Sequence, residues 1–426
     1  MLRYSLSLVW ITALMISLPS ARHARAGEWS AYDTAQFDIL IDKWRKGGKQ
    51  PRRAALSVAI GINGELVFAR GYGEARPGQI ATERTVYHIG SLSKQFTAAA
   101  MLNLIDKAPV SPRSLTPLSL ASTVDAVLPG FENWSAPEIG SPVTIRRLLT
   151  MTSGLPSLLN RPPPGSDPWG RISSGELISA LKALRPSARP KVFAYDNFNY
   201  FVLSQIIETV SCRSPDANSR GFMPFVRSML LTPLALDDTG FVGDPKSYRA
   251  ARVATPSWGN TPSHMRRPAF VQSAWLQGAA DMASSATDLF KWNRAIMRGT
   301  AVTPANRQLM FSNAARVTLT RYYGMGWFID HDAGWDWFTH TGFVPGYTAS
   351  NAIVQNPVKG HWISVTLLTN ADGMRELEKL SEAIVRIAKR HLPLVVAQPS
   401  EPRPALFFRS VQFAEPPGPP PYLTGR

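Results

Sequence analysis

A hairpin near the start of the chain and a group of strands near its end, with helices and loops between them, is the feature that most restricts the fold. Residues 54–60 form a mostly apolar run, Asn63-Gly64 is a two-residue turn signal, and residues 65–70 resume as strand. The next informative strand candidates, TRYYGMGWFI, DWFTHTG, YTASNAIVQNP and GHWISVTLLTN, begin only at residue 320, with Gly, Asp and Asn turns among them. This order predicts a sheet domain split between residues 27–105 and 275–391, one side of its hairpin covered. A mostly helical region at 106–274 is inserted between the two halves.

The helices are read from apolar residues recurring on one face. One is expected around 35–44. Gly90 permits a tight entrance at Ser91, after which Ala98, Met101, Leu102 and Ile105 recur on one face, so a helix begins at or beside Ser91 and buries that face. Helices are also expected at 144–149, in the capped segment SSGELISALKAL, at 201–209 after a YDNFNY turn, and at 285–297. A last helix starts at Asp372, where Leu377, Leu380, Ile384 and Ile387 make an apolar stripe.

With 44% hydrophobic and 18% charged residues the chain is an ordered globular body, and its 35 prolines imply many loops. Residues 1–26 place Arg3 before an apolar run at 6–18 and end in Ala24-Arg25-Ala26, the pattern of a secretory signal cut after Ala26. The run is short of the roughly 20 residues that span a bilayer, so an exported protein is expected, periplasmic or secreted. Losing that segment removes three arginines and no acid, which takes the formal charge from +16 to +13. Such a surface is attracted to anionic cell-envelope polymers or headgroups. No zinc spacing, arginine-rich recognition helix or paired aromatic strand accompanies the charge, which argues against a nucleic-acid partner. Cys212 is the only cysteine, so no internal disulfide forms, and it is expected to be structural or near a surface loop. The proline-rich tail, 392–426, is expected to be extended.

Ser91 and Lys94 are the first chemical pair. Three residues apart on a helix, they share a face, so the lysine amine approaches the serine hydroxyl and can assist its deprotonation if burial lowers the lysine pKa. No compact metal-ligand motif occurs in the chain, and no cofactor is expected.

Three motifs then stand in order: Ser91-Leu92-Ser93-Lys94, Tyr195-Asp196-Asn197 and His340-Thr341-Gly342. With VYHIGSLSKQFTAAA, TIRRLLTMTSGLPS, FAYDNFNYFVLSQIIE, YYGMGWFI and HTGFVPGY around them, the chain resembles the serine β-lactamase and penicillin-binding-protein superfamily, especially its class C β-lactamase-like branch, over roughly residues 35–390. The resemblance implies an α+β fold of the α/β-sandwich type, β-lactamase/transpeptidase-like, in which an antiparallel sheet flanked by helices joins a mostly helical region with the site between them. It implies Ser91 as nucleophile, Lys94 in proton transfer and Tyr195 as the acid and base that exchanges a proton with Ser91. Asn197, His340, Thr341 and Gly342 are the implied substrate-binding positions, and the backbone N–H groups of Ser91 and Phe343 the oxyanion hole. Asp196 is expected to be structural. Many members of the superfamily carry lysine where this chain has His340, which binds an anionic group when protonated or moves a proton when neutral. His88, Trp169, Tyr322, Tyr323, Trp327 and Phe343 are candidates for the cleft wall.

The expected activity is that of a serine hydrolase forming an acyl-enzyme on Ser91, acting on small esters or related acyl substrates. D-amino-acid peptidase or DD-carboxypeptidase-like action, β-lactam hydrolysis and a non-catalytic envelope-binding role are the alternatives. Oligomeric state has no signal in the sequence.

Overall fold

The computed structural model describes residues 31–47, 54–136, 141–155, 172–186, 192–256, 276–371 and 374–392. The expected signal segment, Trp169 and the tail from 393 onward lie outside the described residues.

Helix α1 (Ala31–Gly47) precedes the hairpin β1 (Leu56–Ile62) and β2 (Glu65–Tyr72), which is followed by short strands β3 (Glu74–Arg76), β4 (Gln79–Ile80) and β5 (Val86–His88). Next come α2 (Ser93–Asp106), α3 (Ile145–Leu149), α4 (Ser174–Lys182), α5 (Asn197–Ser211), α6 (Phe222–Val226) and strands β6 (Gly240–Phe241) and β7 (Met282–Ser285). The chain continues through α7 (Ala286–Arg298), α8 (Pro304–Met310), β8 (Ala315–Arg316), β9 (Arg321–Tyr323) and β10 (Phe328–Asp332). It ends with β11 (Trp335–Val344), β12 (Tyr347–Gln355), β13 (Trp362–Thr369) and α9 (Met374–His391).

The split sheet closes as the strand order requires. Eight antiparallel strands run β2-β1-β13-β12-β11-β10-β9-β8, and the early hairpin docks on the last strand with Leu56 opposite Thr369 and Ile62 opposite Ile363. The sheet is covered on both sides rather than one, which is why every residue of β1 is buried. Leu56, Val58, Ile60 and Ile62 meet Phe37 and Ile41 of α1 and Leu377, Leu380 and Ile384 of α9. Each such side chain contributes about 2 kcal/mol by leaving water. The other face packs on α7 and the helical region in a second apolar cluster that includes Trp292, Leu289 and Phe96.

Local signals set the helix ends. Ser173 and Glu176 form a reciprocal capping box on α4, and Ser285 caps α7 by accepting from the Asp288 N–H. Two expectations change. Helix α2 is buried on nearly every side because it is wedged between sheet and helical region, so its apolar periodicity marks only part of its contact surface. Helix α5 starts at Asn197 instead of near 201, because the Asp196 carboxylate accepts from the Phe198 N–H at 2.8 Å and caps it there. Cys212 is exposed at the end of α5.

Candidate active site

A single 3₁₀ turn, Gly90–Leu92, delivers Ser91 to the start of α2. Gly90 adopts φ +51°, and a side chain on it would stand 2.7 Å from the Phe343 nitrogen; one on Gly342 would stand 1.9 Å from the Ile89 carbonyl oxygen. Only glycine at both places lets the turn and β11 meet backbone to backbone. That contact sets the Phe343 nitrogen beside Gly90 and the Ser91 nitrogen beside Gly342, across two elements far apart in sequence. Ser93 holds the turn from below, donating to the Gly90 carbonyl at 2.7 Å while accepting from the Met282 N–H at 3.1 Å.

Lys94 follows on the next turn of α2, fully buried. Its Nζ lies 3.0 Å from Ser91 Oγ, 2.7 Å from Asn197 Oδ1 and 2.9 Å from the Ala279 carbonyl oxygen. Burial pulls its pKa down to about 7, against the opposing charges of Asp196 and Asp281. The amide and backbone carbonyl oxygens can only accept. When Lys94 is neutral its two hydrogens satisfy them, and its lone pair is left for the Ser91 hydroxyl.

Tyr195 stands over this group, with Lys94 Nζ 4.9 Å from its ring centroid and Phe328 stacked on it at 6.2 Å. The residue is 39% exposed, but its oxygen sits at the packed end of the ring. Burial pushes its pKa above the ordinary phenol value, opposed by the Ser91 hydroxyl beside it, so Tyr195 is a neutral phenol. The Asn197 side-chain oxygen accepts from Lys94, and its amide N–H₂ can donate to a ligand.

His340 lies on β11, 2% exposed, among Phe328, Tyr195 and Tyr323 with ring centroids 5.3 to 6.1 Å away. Burial and the nearby Lys94 charge lower its pKa to about 3, and Nδ1 donates to the Thr341 carbonyl at 2.7 Å. It is therefore neutral and presents no cation to an anionic substrate group. Its Nε2 is buried with no hydrogen-bond partner among the described residues. Thr341 departs from expectation because side chains alternate along a strand. With Thr339 and Trp337 it faces a cavity of about 470 Å³ on the α9 side of the sheet, so its hydroxyl is turned away from Ser91. Gly342 returns to the Ser91 side.

Of the expected wall residues, Tyr323 and Trp327 are fully buried and serve packing, while Phe343 is 39% exposed beside the cleft. His88 packs its ring on Tyr347 at 4.6 Å, and Tyr322 lies by His331. Sequence reasoning missed Ala279 and Asp281. The only signal for Asp281 is an acid set in the small, apolar run GAADMAS. It is buried, and loss of water raises its pKa to about 7, opposed by the Gly278 N–H and by Lys94. Among the described residues no group of three or more His, Cys, Asp or Glu is arranged to hold a metal.

A family profile described as Beta-lactamase matches residues 40–389. Among curated proteins, the chain is similar to the putative penicillin-binding protein PbpX of Bacillus subtilis, 26% identical over 76% of this chain and 73% of that one. It is similar also to Protein flp of Staphylococcus aureus, 25% identical over 82% of this chain and 66% of that one. The fold is shared with the octameric penicillin-binding protein homologue from Pyrococcus abyssi, at TM-score 0.67 and 24% identity over 84% of this chain and 78% of the other. It is shared too with the D-amino acid amidase from Ochrobactrum anthropi SV3, at TM-score 0.65 and 18% identity over 84% and 99%.

Proposed function

The chain belongs to the beta-lactamase family, and from that premise we propose that it is an exported serine acyl hydrolase in which Ser91 is acylated with neutral Lys94 as its base. The observation that carries this reading is the three-way setting of the Lys94 amine: two acceptors for its hydrogens and Ser91 Oγ at the third position. A base with a pKa near the working pH combines a useful neutral fraction with a useful driving force for proton transfer.

The steps follow. Ser91 Oγ bonds to the substrate carbonyl carbon as its proton passes to Lys94, and the carbonyl π pair moves onto oxygen. The backbone N–H groups of Ser91 and Phe343 stabilise that oxygen, a role supported by the close stacking of the turn on β11. On collapse the bond to the leaving group breaks, and the leaving group takes a proton from Lys94 through the Tyr195 hydroxyl, which donates one and receives one. The products are the protonated leaving group and an ester on Ser91. Water then attacks by the same route, giving the acid and free Ser91.

The substrate class follows from charge. A neutral His340 on β11 leaves the carboxylate of a penicillin or of a peptide C-terminus without a cation from that position. Uncharged esters and amides are thus favoured over β-lactams and DD-peptides. D-amino-acid amides are the second set to examine, since the Ochrobactrum anthropi amidase shares this fold. Export rests on the signal pattern of residues 1–26. The experiment is a hydrolysis panel of a short-chain p-nitrophenyl ester, a D-amino-acid amide and a penicillin, with the wild type and Ser91→Ala. Turnover of the ester or the amide that needs Ser91 supports the reading, and turnover of the penicillin alone rejects it.

A further inference from the structure

Asp281 sits on the loop that supplies one of the three acceptors around Lys94, and that loop is pinned at several points. Thr97 of α2 donates to the Gly278 carbonyl at 2.7 Å, the Val242 N–H donates to the Asp281 carbonyl at 2.8 Å, and Ser93 takes the Met282 N–H. Gly278 adopts φ +71° and is pressed against the Tyr200 carbonyl and Ser204. Within this frame Asp281 Oδ1 accepts from the Gly278 N–H at 3.2 Å, which closes the loop around Ala279. Its Oδ2 is buried with no hydrogen-bond partner among the described residues. The residue as a whole is 8% exposed. A carboxylate with one satisfied oxygen and one bare oxygen is costly in such a place unless a cation nearby compensates it. The cation that interacts with it is Lys94.

We propose that Asp281 is a positioning residue for the acylation step: it holds the Ala279 carbonyl against Lys94, and its charge decides how readily Lys94 gives up a proton. This rests on the reading of Lys94 as the base. The groups that face Lys94 are Ser91 on its own segment, Tyr195, Asp196, Asn197 and Tyr200 at and before the start of α5, His340 on β11, and Asp281 on the loop. The two tyrosines and His340 are neutral, so Asp196 and Asp281 supply the negative charge. Asp196 is tied to its helix cap, whereas burial raises the proton affinity of the Asp281 carboxyl and lowers that of the Lys94 amine, each shift opposed by the charge of the other group. Two groups so coupled titrate together and share the proton between them.

The test reads the proton on Lys94 directly and needs no turnover, so it stays separate from the test of the enzymatic reading. In the full-length mature protein carrying ¹³C-lysine and ¹³C-aspartate, the Lys94 side-chain and Asp281 carboxyl resonances are followed from pH 5 to 10. The proposal expects both to respond over the same neutral range. An Asp281 that titrates in the ordinary carboxylate range near 4, with a single independent Lys94 step, overturns it. In Asp281→Asn, which keeps an acceptor for Gly278 and removes the charge, the Lys94 step moves down by about one pH unit, a tenfold change in proton affinity. Ser93→Ala loosens the same loop without altering charge and leaves the Lys94 step in place. An unmoved step in Asp281→Asn, or an equal shift in Ser93→Ala, assigns Asp281 to loop structure alone and rejects the proposal.

Discussion

Lys94 Nζ stands 3.0 Å from Ser91 Oγ, and its other two contacts, Asn197 Oδ1 and the Ala279 carbonyl, accept hydrogens and cannot donate them. Burial makes the amine easy to deprotonate, and the two acceptors fix which way its lone pair points once it is. The same side chain thus has both the proton affinity and the direction that a base for Ser91 requires.

The first prediction is a pH dependence. Lys94 has a pKa lowered to about 7, and in the proposed mechanism its neutral form is the base, so the rate of Ser91 acylation is expected to rise with pH through about 7 and level off above it. Lys94→Arg, whose guanidinium does not deprotonate, loses about 10²-fold or more and shows no such rise. Stopped-flow acylation by a p-nitrophenyl ester between pH 5 and 9 measures both.

Tyr195→Phe removes the hydroxyl and keeps the ring that packs on Phe328. A drop in kcat of about 10² to 10⁴ is expected, with an unchanged melting temperature. Equal kcat in the variant would remove Tyr195 from the proton path.

The expected effect at His340 is on selectivity. His340→Lys places a cation on β11 where the native ring is neutral. The ratio of acylation rates for a penicillin and an uncharged ester should rise about tenfold, the scale of one hydrogen bond to a charged group, ~1.5 kcal/mol. Competition between the two acyl donors, read by intact mass, gives the ratio. No change in it would separate substrate charge from this position.

Gly342→Ala puts a methyl group where the Ile89 carbonyl oxygen lies 1.9 Å away. The turn bearing Ser91 must shift from β11, and a displacement near 1 Å costs about 10² in rate. Acylation should fall by at least that factor even in protein whose far-UV circular dichroism matches the wild type.

How much of this was legible in the sequence varies with the physics behind each element. The Asn63-Gly64 turn and the late strands are local signals, and they gave the split sheet, whose ends pair as Leu56 with Thr369. The cap in SSGELISALKAL, which falls on Ser173, was readable for the same reason. Residue spacing placed Lys94 beside Ser91, and the motif resemblance put Tyr195 and His340 in the same neighbourhood. Burial was the part that stayed hidden. The neutral state of His340 comes from Phe328, Tyr195 and Tyr323 packing around it, and strand alternation sends Thr341 to the opposite face once the strand's register is known. Asp281 could not be paired with Lys94 from sequence, because a separation of nearly two hundred residues is closed only when β7 docks beside β5.

The most direct test of the account is time-resolved intact mass of the protein after mixing with a short-chain p-nitrophenyl ester at pH 8, run beside Ser91→Ala. The account predicts a transient adduct of one acyl group, located on Ser91 by peptide mapping, that forms in step with p-nitrophenol release and is absent from the variant. Ester turnover with no adduct on Ser91, or an equal adduct in Ser91→Ala, would contradict it.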